Sequence, residues 1–148
     1  MKIGIIGVGM LGEAVALNLL NLGFQVSVYN RTKEKVSKVE KNGAIVMNSP
    51  KLVADNSELI IIIVKDAVAV KEVSFGKEGI TESKNKKLIV ADMSTIEPTE
   101  SKEIADNFKQ KQIQKLEIPV MGGPNVAITG KLVTVSYTHL TLPTICSV

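Results

Sequence analysis

Residues 1–20 read MKIGIIGVGMLGEAVALNLL, and within them GVGMLG places Gly7, Gly9 and Gly12 between two apolar runs. Lys2 to Gly7 reads as a buried strand. Beyond the glycines, Leu11, Val15, Leu19 and Leu22 recur at spacings of four, four and three, which puts them on one helical face, and Gly23 follows where a left-handed cap is easiest. Gln25 to Tyr29 then reads as a second strand, so the opening is strand, helix, strand. Three glycines in a turn can be no more than a turn. In this setting they spell G-x-G-x-x-G, and each answers a different need. The first permits the tight turn, the second lets a pyrophosphate approach the backbone, and the third lets the helix pack closely on the strand. The N-terminus of the helix adds unpaired N–H groups and partial positive charge. The stretch therefore predicts a dinucleotide-binding turn at Gly7, Gly9 and Gly12.

The same alternation continues along the chain. Ala44 to Met47, Leu59 to Val64, Leu88 to Ala91 and Leu116 to Val120 read as further strands with helical stretches between them. Lys33 to Lys41 predicts a short polar helix with Val36 and Val39 facing inward, ending at Asn42 and Gly43. Ser49 before Pro50 reads as an N-cap and first-turn proline. The IIIIV run after Leu59 does not alternate, as expected of a parallel strand covered on both faces. Repeated βαβ units predict an α/β fold of Rossmann type: a doubly wound, mostly parallel sheet with helices on both faces. There is no internal repeat or low-complexity linker.

The end of the second strand bears on which dinucleotide is bound. NAD binders usually carry an acid there to accept from the ribose 2′-OH, but this sequence reads VYNRT, with Asn30, Arg31 and Thr32. A carboxylate would repel a 2′-phosphate, whereas Arg31 can pair with one and Asn30 and Thr32 can donate hydrogen bonds. The expected cofactor is NADP rather than NAD. Read without that ligand, Arg31 is a solvated surface side chain.

Composition narrows the remaining classes. With 148 residues, 45% hydrophobic and 22% charged, the chain suffices for one well-buried core. Aromatics make up only 3%, so that core must be aliphatic. The net charge of +3 comes from 18 basic residues interspersed with 15 acidic ones, without the basic face that nucleic acid requires. The longest apolar run, Leu59 to Val64, is six residues, far short of the roughly 20 that span a bilayer. Glu13 interrupts the only stretch resembling a signal peptide. A single Cys excludes an internal disulfide and fits a reducing cytoplasm. No nucleic acid and no membrane are expected as partners.

Four segments together, GVGMLGEAVALNLLNLGFQVSVYNRT, IIIVKDAVAVKEVSFGKEGI, VADMSTIEPTES and IPVMGGPNVAITGKL, resemble the β-hydroxyacid dehydrogenase family from Met1 to about Thr134. That family includes 3-hydroxyisobutyrate, tartronate semialdehyde and 6-phosphogluconate dehydrogenases and related imine reductases. The resemblance implies that Val8, Met10 and Leu11 line the phosphate turn with the three glycines, and that Val64 and Lys65 border the adenosine and ribose. It implies also that Thr95, in DMST, contacts the nicotinamide half, and that Met121, Gly122 and Gly123 form the substrate-carboxylate segment. Successive glycines let N–H donors approach an anion unobstructed, though without the family Gly122-Gly123-Pro124 reads only as a turn. Family members often have Ser where Met121 stands and Asp-Ala where Glu117 and Ile118 stand. The missing hydroxyl removes one substrate hydrogen bond and leaves the identity of the hydroxy acid open.

After Leu132 the family pattern runs on into a long helix and an all-helical second domain carrying the catalytic lysine. Here the chain reads VSYTHLTLPTICSV, Thr-rich and without helical periodicity, and in one reading frame Val135 to Thr144 is similar to the end of a DNA-sequencing adaptor translated as though coding. Residues 1–134 are thus expected to form the NADP-binding domain and 135–148 a non-native tail, with the C-terminal helical domain missing. His139 and Cys146, the only His and Cys, lie in that tail, so no zinc or Cys-His site can be assembled, and no metal or catalytic residue is expected here. The parent is expected to be an oxidoreductase moving hydride between nicotinamide and a small 3-hydroxy acid, assembling as a homo-oligomer. The alternatives are an imine- or pyrroline-type reductase and a non-catalytic NADP-binding module.

Overall fold

The computed structural model describes residues 1–136 and 144–147, with side chains described through residue 134. Strand β1 (Lys2–Ile6), helix α1 (Met10–Asn21) and strand β2 (Gln25–Tyr29) form the expected opening unit. A 3-10 turn at Lys33–Val36 leads into α2 (Ser37–Lys41), followed by β3 (Ile45–Val46), α3 (Pro50–Asp55), β4 (Leu59–Ile62) and α4 (Ala67–Phe75). Then come β5 (Ile89–Asp92), α5 (Pro98–Gln110), β6 (Gln114–Glu117), β7 (Val120–Met121), α6 (Pro124–Ala127), β8 (Val133–Ser136) and β9 (Thr144–Ser147).

The main sheet has six strands in the order β3-β2-β1-β4-β5-β6, and every pairing in it is parallel. This is the doubly wound Rossmann order. From β1 the chain winds one way to β2 and β3, then returns to β4 and winds the other way. Connections diverge at the C-terminal ends of β1 and β4, which leaves a crevice there. Strand β4 shows why its sequence lacks alternation: Ile60 and Ile62 are buried against α3, α4 and α5, and Ile61 against the opposite layer. Phe75 of α4 and Phe108 of α5, with ring centroids 4.9 Å apart, pack together on the first of these faces.

Local signals explain the helix ends. Gly23 closes α1 with φ +85, where its N–H donates to Leu20 O and that of Phe24 to Leu19 O, the paired bonds of a Schellman cap. Ser49 caps α3 by accepting from Leu52 N at 3.3 Å. Val36 and Val39 are buried as their pattern predicts.

Two expectations need correction. Leu22 does not share the buried face of α1: it is 65% exposed at the C-cap, beyond the last turn, while Gly12, Ala14, Val15, Ala16 and Leu17 form the buried side. Small residues bring the helix closer to the sheet than a stripe of leucines would allow. The expected strand from Leu116 to Val120 is two elements, because Pro119 has no N–H to continue the ladder. Strand β6 begins earlier, at Gln114, and β7 pairs antiparallel with β8 in a separate sheet. In the tail, the backbone of β9 pairs antiparallel with β8, setting Cys146 opposite Thr134. His139 lies outside the described residues.

Candidate cofactor-binding site

The turn between β1 and α1 sits at the crevice, and the three glycines there are not interchangeable. Gly7 has φ +103, donates its N–H to Tyr29 O at 2.9 Å, and has no room for a Cβ, which would collide with the Ile63 carbonyl. A Cβ on Gly12 would strike the Gly7 carbonyl oxygen. Gly9 differs: a Cβ there would meet nothing within 4 Å. It is the N-cap of α1 and supplies no side-chain hydrogen bond to the helix. Open space in front of an uncapped helix N-terminus fits the pyrophosphate of a dinucleotide. Val8 is buried and Leu11 packs against the core, so both face inward, whereas Met10 is 80% exposed. Glu13 in the first turn of α1 would oppose an anion, but Lys38 Nζ lies 2.6 Å from its Oε1 and offsets the charge.

Asn30, at the end of β2, holds this turn. Its Oδ1 accepts from Val8 N at 2.9 Å and its Nδ2 donates to Thr32 O at 2.8 Å. One amide group therefore joins the phosphate turn to the segment carrying Arg31. Its acceptor and one of its two amide hydrogens are engaged in this way, which leaves the second amide hydrogen for the phosphate that the sequence reading expects it to meet.

A cleft of about 310 Å³ opens beside the turn, and it brings together Gly7, Gly9, Asn30, Arg31, Thr32, Val64 and Lys65, seven of the expected cofactor residues. Lys35 and Lys77 line it too. Neither was singled out from sequence: Lys35 reaches the cleft through the 3-10 turn after β2, and Lys77 from the loop after α4. Four cations thus face a cleft to which Glu72 contributes the one carboxylate among its lining residues. Beside it, Asp66 caps α4 by accepting from Ala69 N at 2.8 Å. That bond lowers its carboxyl below the ordinary value, and the charges of Lys65 and Arg31 lower it further.

The other expected residues lie apart from this cleft. Val8, Gly9 and Met10 also line a groove against Pro124, Asn125 and Ile128 of α6 and its C-cap. Thr95 lines a separate cavity with Asp92, Ser94, Glu117 and Pro119. Met121, Gly122 and Gly123 are exposed and line none of these three spaces. Gly122 has φ +128, and Gly123 is the N-cap of α6. Among the described residues no cluster of His, Cys, Asp and Glu is arranged to hold a metal ion.

The family model for the NAD binding domain of 6-phosphogluconate dehydrogenase matches residues 2–138. The chain belongs to that family. It is 38% identical over 130 residues to the uncharacterized oxidoreductase YkwC of Bacillus subtilis, covering 88% of this chain and 45% of that protein. It is 32% identical over 130 residues to a probable mitochondrial 3-hydroxyisobutyrate dehydrogenase of Dictyostelium discoideum, covering 88% of this chain and 40% of that one. Among solved structures, Psf3 in complex with NADP+ and 2-OPP superposes with a TM-score of 0.83 at 27% identity, over 90% of this chain and 48% of that chain. The chain therefore spans less than half the length of these relatives. None of its described helices is long and apolar enough to cross a membrane.

Proposed function

We propose that residues 1–134 are the NADP-binding domain of an oxidoreductase that moves hydride between a nicotinamide cofactor and a small 3-hydroxy acid, and that 135–148 is a non-native tail. The observation that carries the cofactor assignment is the cleft at the end of β2, where Arg31, Lys35, Lys65 and Lys77 converge and the usual ribose-binding acid is replaced by Asn30. A 2′-phosphate would offset the excess of four cations over the single Glu72 carboxylate in the lining of that cleft.

The chain's own residues bind and orient. Gly9 and the first turn of α1 hold the pyrophosphate, Asn30 fixes the turn, and Arg31 and Thr32 select the phosphorylated ribose. Val64 and Lys65 border the adenosine side, and Thr95 meets the nicotinamide half. Gly122 and Gly123 offer N–H groups to a substrate carboxylate, with Met121 beside them. The cofactor, when bound, supplies or accepts hydride at its nicotinamide ring. The proton-transferring lysine that the family resemblance implies matches no residue of this chain. The relatives' oxidoreductase names support this reading of the parent.

Titration calorimetry of the 148-residue chain with NADPH and NADH tests the assignment. NADPH binding tighter by at least about tenfold is expected from one charge-assisted hydrogen bond to the 2′-phosphate. Equal affinities would refute the NADP preference, and no binding of either would refute the domain's role.

A further inference from the structure

At the far edge of the sheet three charged side chains are brought together where a sheet interior normally carries none. Asp92 closes β5, and Lys115 and Glu117 lie on β6. The register sets Val90 beside Lys115 and Asp92 beside Glu117, so all four project from one face of the sheet. Lys115 Nζ lies 3.3 Å from Asp92 Oδ2 and 3.5 Å from Glu117 Oε1, with the Lys115 and Asp92 side chains only 1% and 2% exposed. Asp92 Oδ2 accepts no well-aligned hydrogen bond among the described residues. It is held by the charge of Lys115.

The rest of Asp92 points to a purpose beyond stability. Its Oδ1 accepts from Ser94 N at 3.0 Å, and Ser94 Oγ accepts from Val64 N at 3.1 Å. Its main-chain carbonyl accepts from Ile118 N at 2.9 Å. One residue thus fixes the departures of two segments: the loop after β5, which carries Thr95, and the stretch after β6, which leads to Met121, Gly122 and Gly123. Through Ser94 it also reaches the end of β4, at the adenosine side of the cleft. The cavity lined by Asp92, Ser94, Thr95, Glu117 and Pro119 opens between those two departures. A buried ion pair kept for stability alone is a poor choice, since apolar replacements are often as stable or more so. A carboxylate oriented by a cation, and donated to by the backbone it must place, is what positioning requires.

We propose that the buried Lys115–Asp92 pair is a positioning device that sets the Ser94–Thr95 loop against the nicotinamide half of the cofactor. The inference rests on the cofactor reading above. Asp92 and Lys115 touch no ligand themselves; they act through Ser94 and Thr95.

The test separates the two halves of the cofactor in the 148-residue chain. NADPH carries both halves, adenosine 2′,5′-bisphosphate only the distal one. Lys115→Met is expected to weaken NADPH about tenfold, as an orphaned buried charge pulls Asp92 from its place, and to abolish the change in nicotinamide fluorescence on binding. Bisphosphate affinity stays within about twofold, an effect too small to reflect a lost hydrogen bond. Two double variants keep the test decisive should that single change unfold the chain. Asp92→Asn with Lys115→Met leaves an acceptor for Ser94 N and no charge, and retains NADPH binding. Asp92→Leu with Lys115→Met removes the acceptor and loses NADPH selectively. Parallel weakening of both ligands, or identical NADPH affinities in the two double variants, overturns the inference. A wild-type chain that binds the bisphosphate and NADPH normally while Lys115→Met does the same overturns it and leaves the cofactor reading intact. A wild-type chain that takes neither ligand overturns both.

Discussion

Asn30 and Arg31 are adjacent in sequence but differently engaged, so the proposed reading gives their substitutions different signatures. Asn30→Ala leaves the Val8 N–H without its acceptor and frees Thr32 O. Loss of a partner for a partly buried donor costs about 1–3 kcal/mol, and because the phosphate turn is common to both cofactors, NADPH and NADH are expected to weaken together. Arg31→Asp removes a cation and installs a repelling charge at the 2′-phosphate, so NADPH affinity is expected to fall at least about tenfold while NADH is spared. Calorimetry on the two variants distinguishes these outcomes, and a cofactor-independent loss in Arg31→Asp would refute its role in selection. The sequence singles out Arg31, which the fold places in the cleft, because the missing acid at the end of β2 is visible as a letter. It cannot show that the Asn30 amide bonds both Val8 N–H and Thr32 O, since that depends on where two backbone segments meet. Lys35 and Lys77 were missed for the same reason, being two ordinary lysines among many until the loops after β2 and α4 bring them to one cleft.

Elements with strong local signals were legible nearly to the residue. Glycine turns, the Ser49-Pro50 cap and the unbroken Ile run placed β1, α1, β2, α3 and β4. Signals that depend on neighbours were not: Pro119 breaks the ladder, but that β7 then joins β8 in a separate sheet is set by partners further along the chain. Helix α4 shows how a cap links stability to the cleft. Asp66 accepts from Ala69 N, and this bond, with Lys65 and Arg31, lowers its carboxyl below the ordinary value of 3.8. A depressed folded-state pKa stabilises above the unfolded value and is lost as pH falls through the folded one. Asp66→Ala is therefore expected to lower Tm at neutral pH, with the deficit constant down to about pH 4 and shrinking below it. Melting curves across that range check this; a deficit unchanged at the acid end would mean that the carboxylate's charge contributes nothing to the cap.

At the scale of the whole molecule, the doubly wound sheet buries both faces of its central strands, yet apolar side chains stand exposed beyond its cofactor edge. Met121 and Val133 sit opposite each other in the β7–β8 pair, hence on one side of it, and are 68% and 38% exposed. Ile128, just past α6, is 46% exposed, and Met10, which shares a groove with it, is 80% exposed. Exposed apolar side chains in local clusters favour association with another apolar surface. The 148-residue chain is accordingly expected to self-associate as its concentration rises, with sedimentation velocity showing growing species. Met121→Ser with Ile128→Ser should reverse this, because each change removes apolar area from the surface without opening a core cavity. The glycines of the phosphate turn are untouched, so NADPH affinity should hold in the double variant. A chain that stays monomeric at high concentration, or a double variant that associates as strongly as the parent, would show that these side chains do not drive association. Met121 stands beside Gly122 and Gly123, so association through it would engage the proposed substrate segment as well.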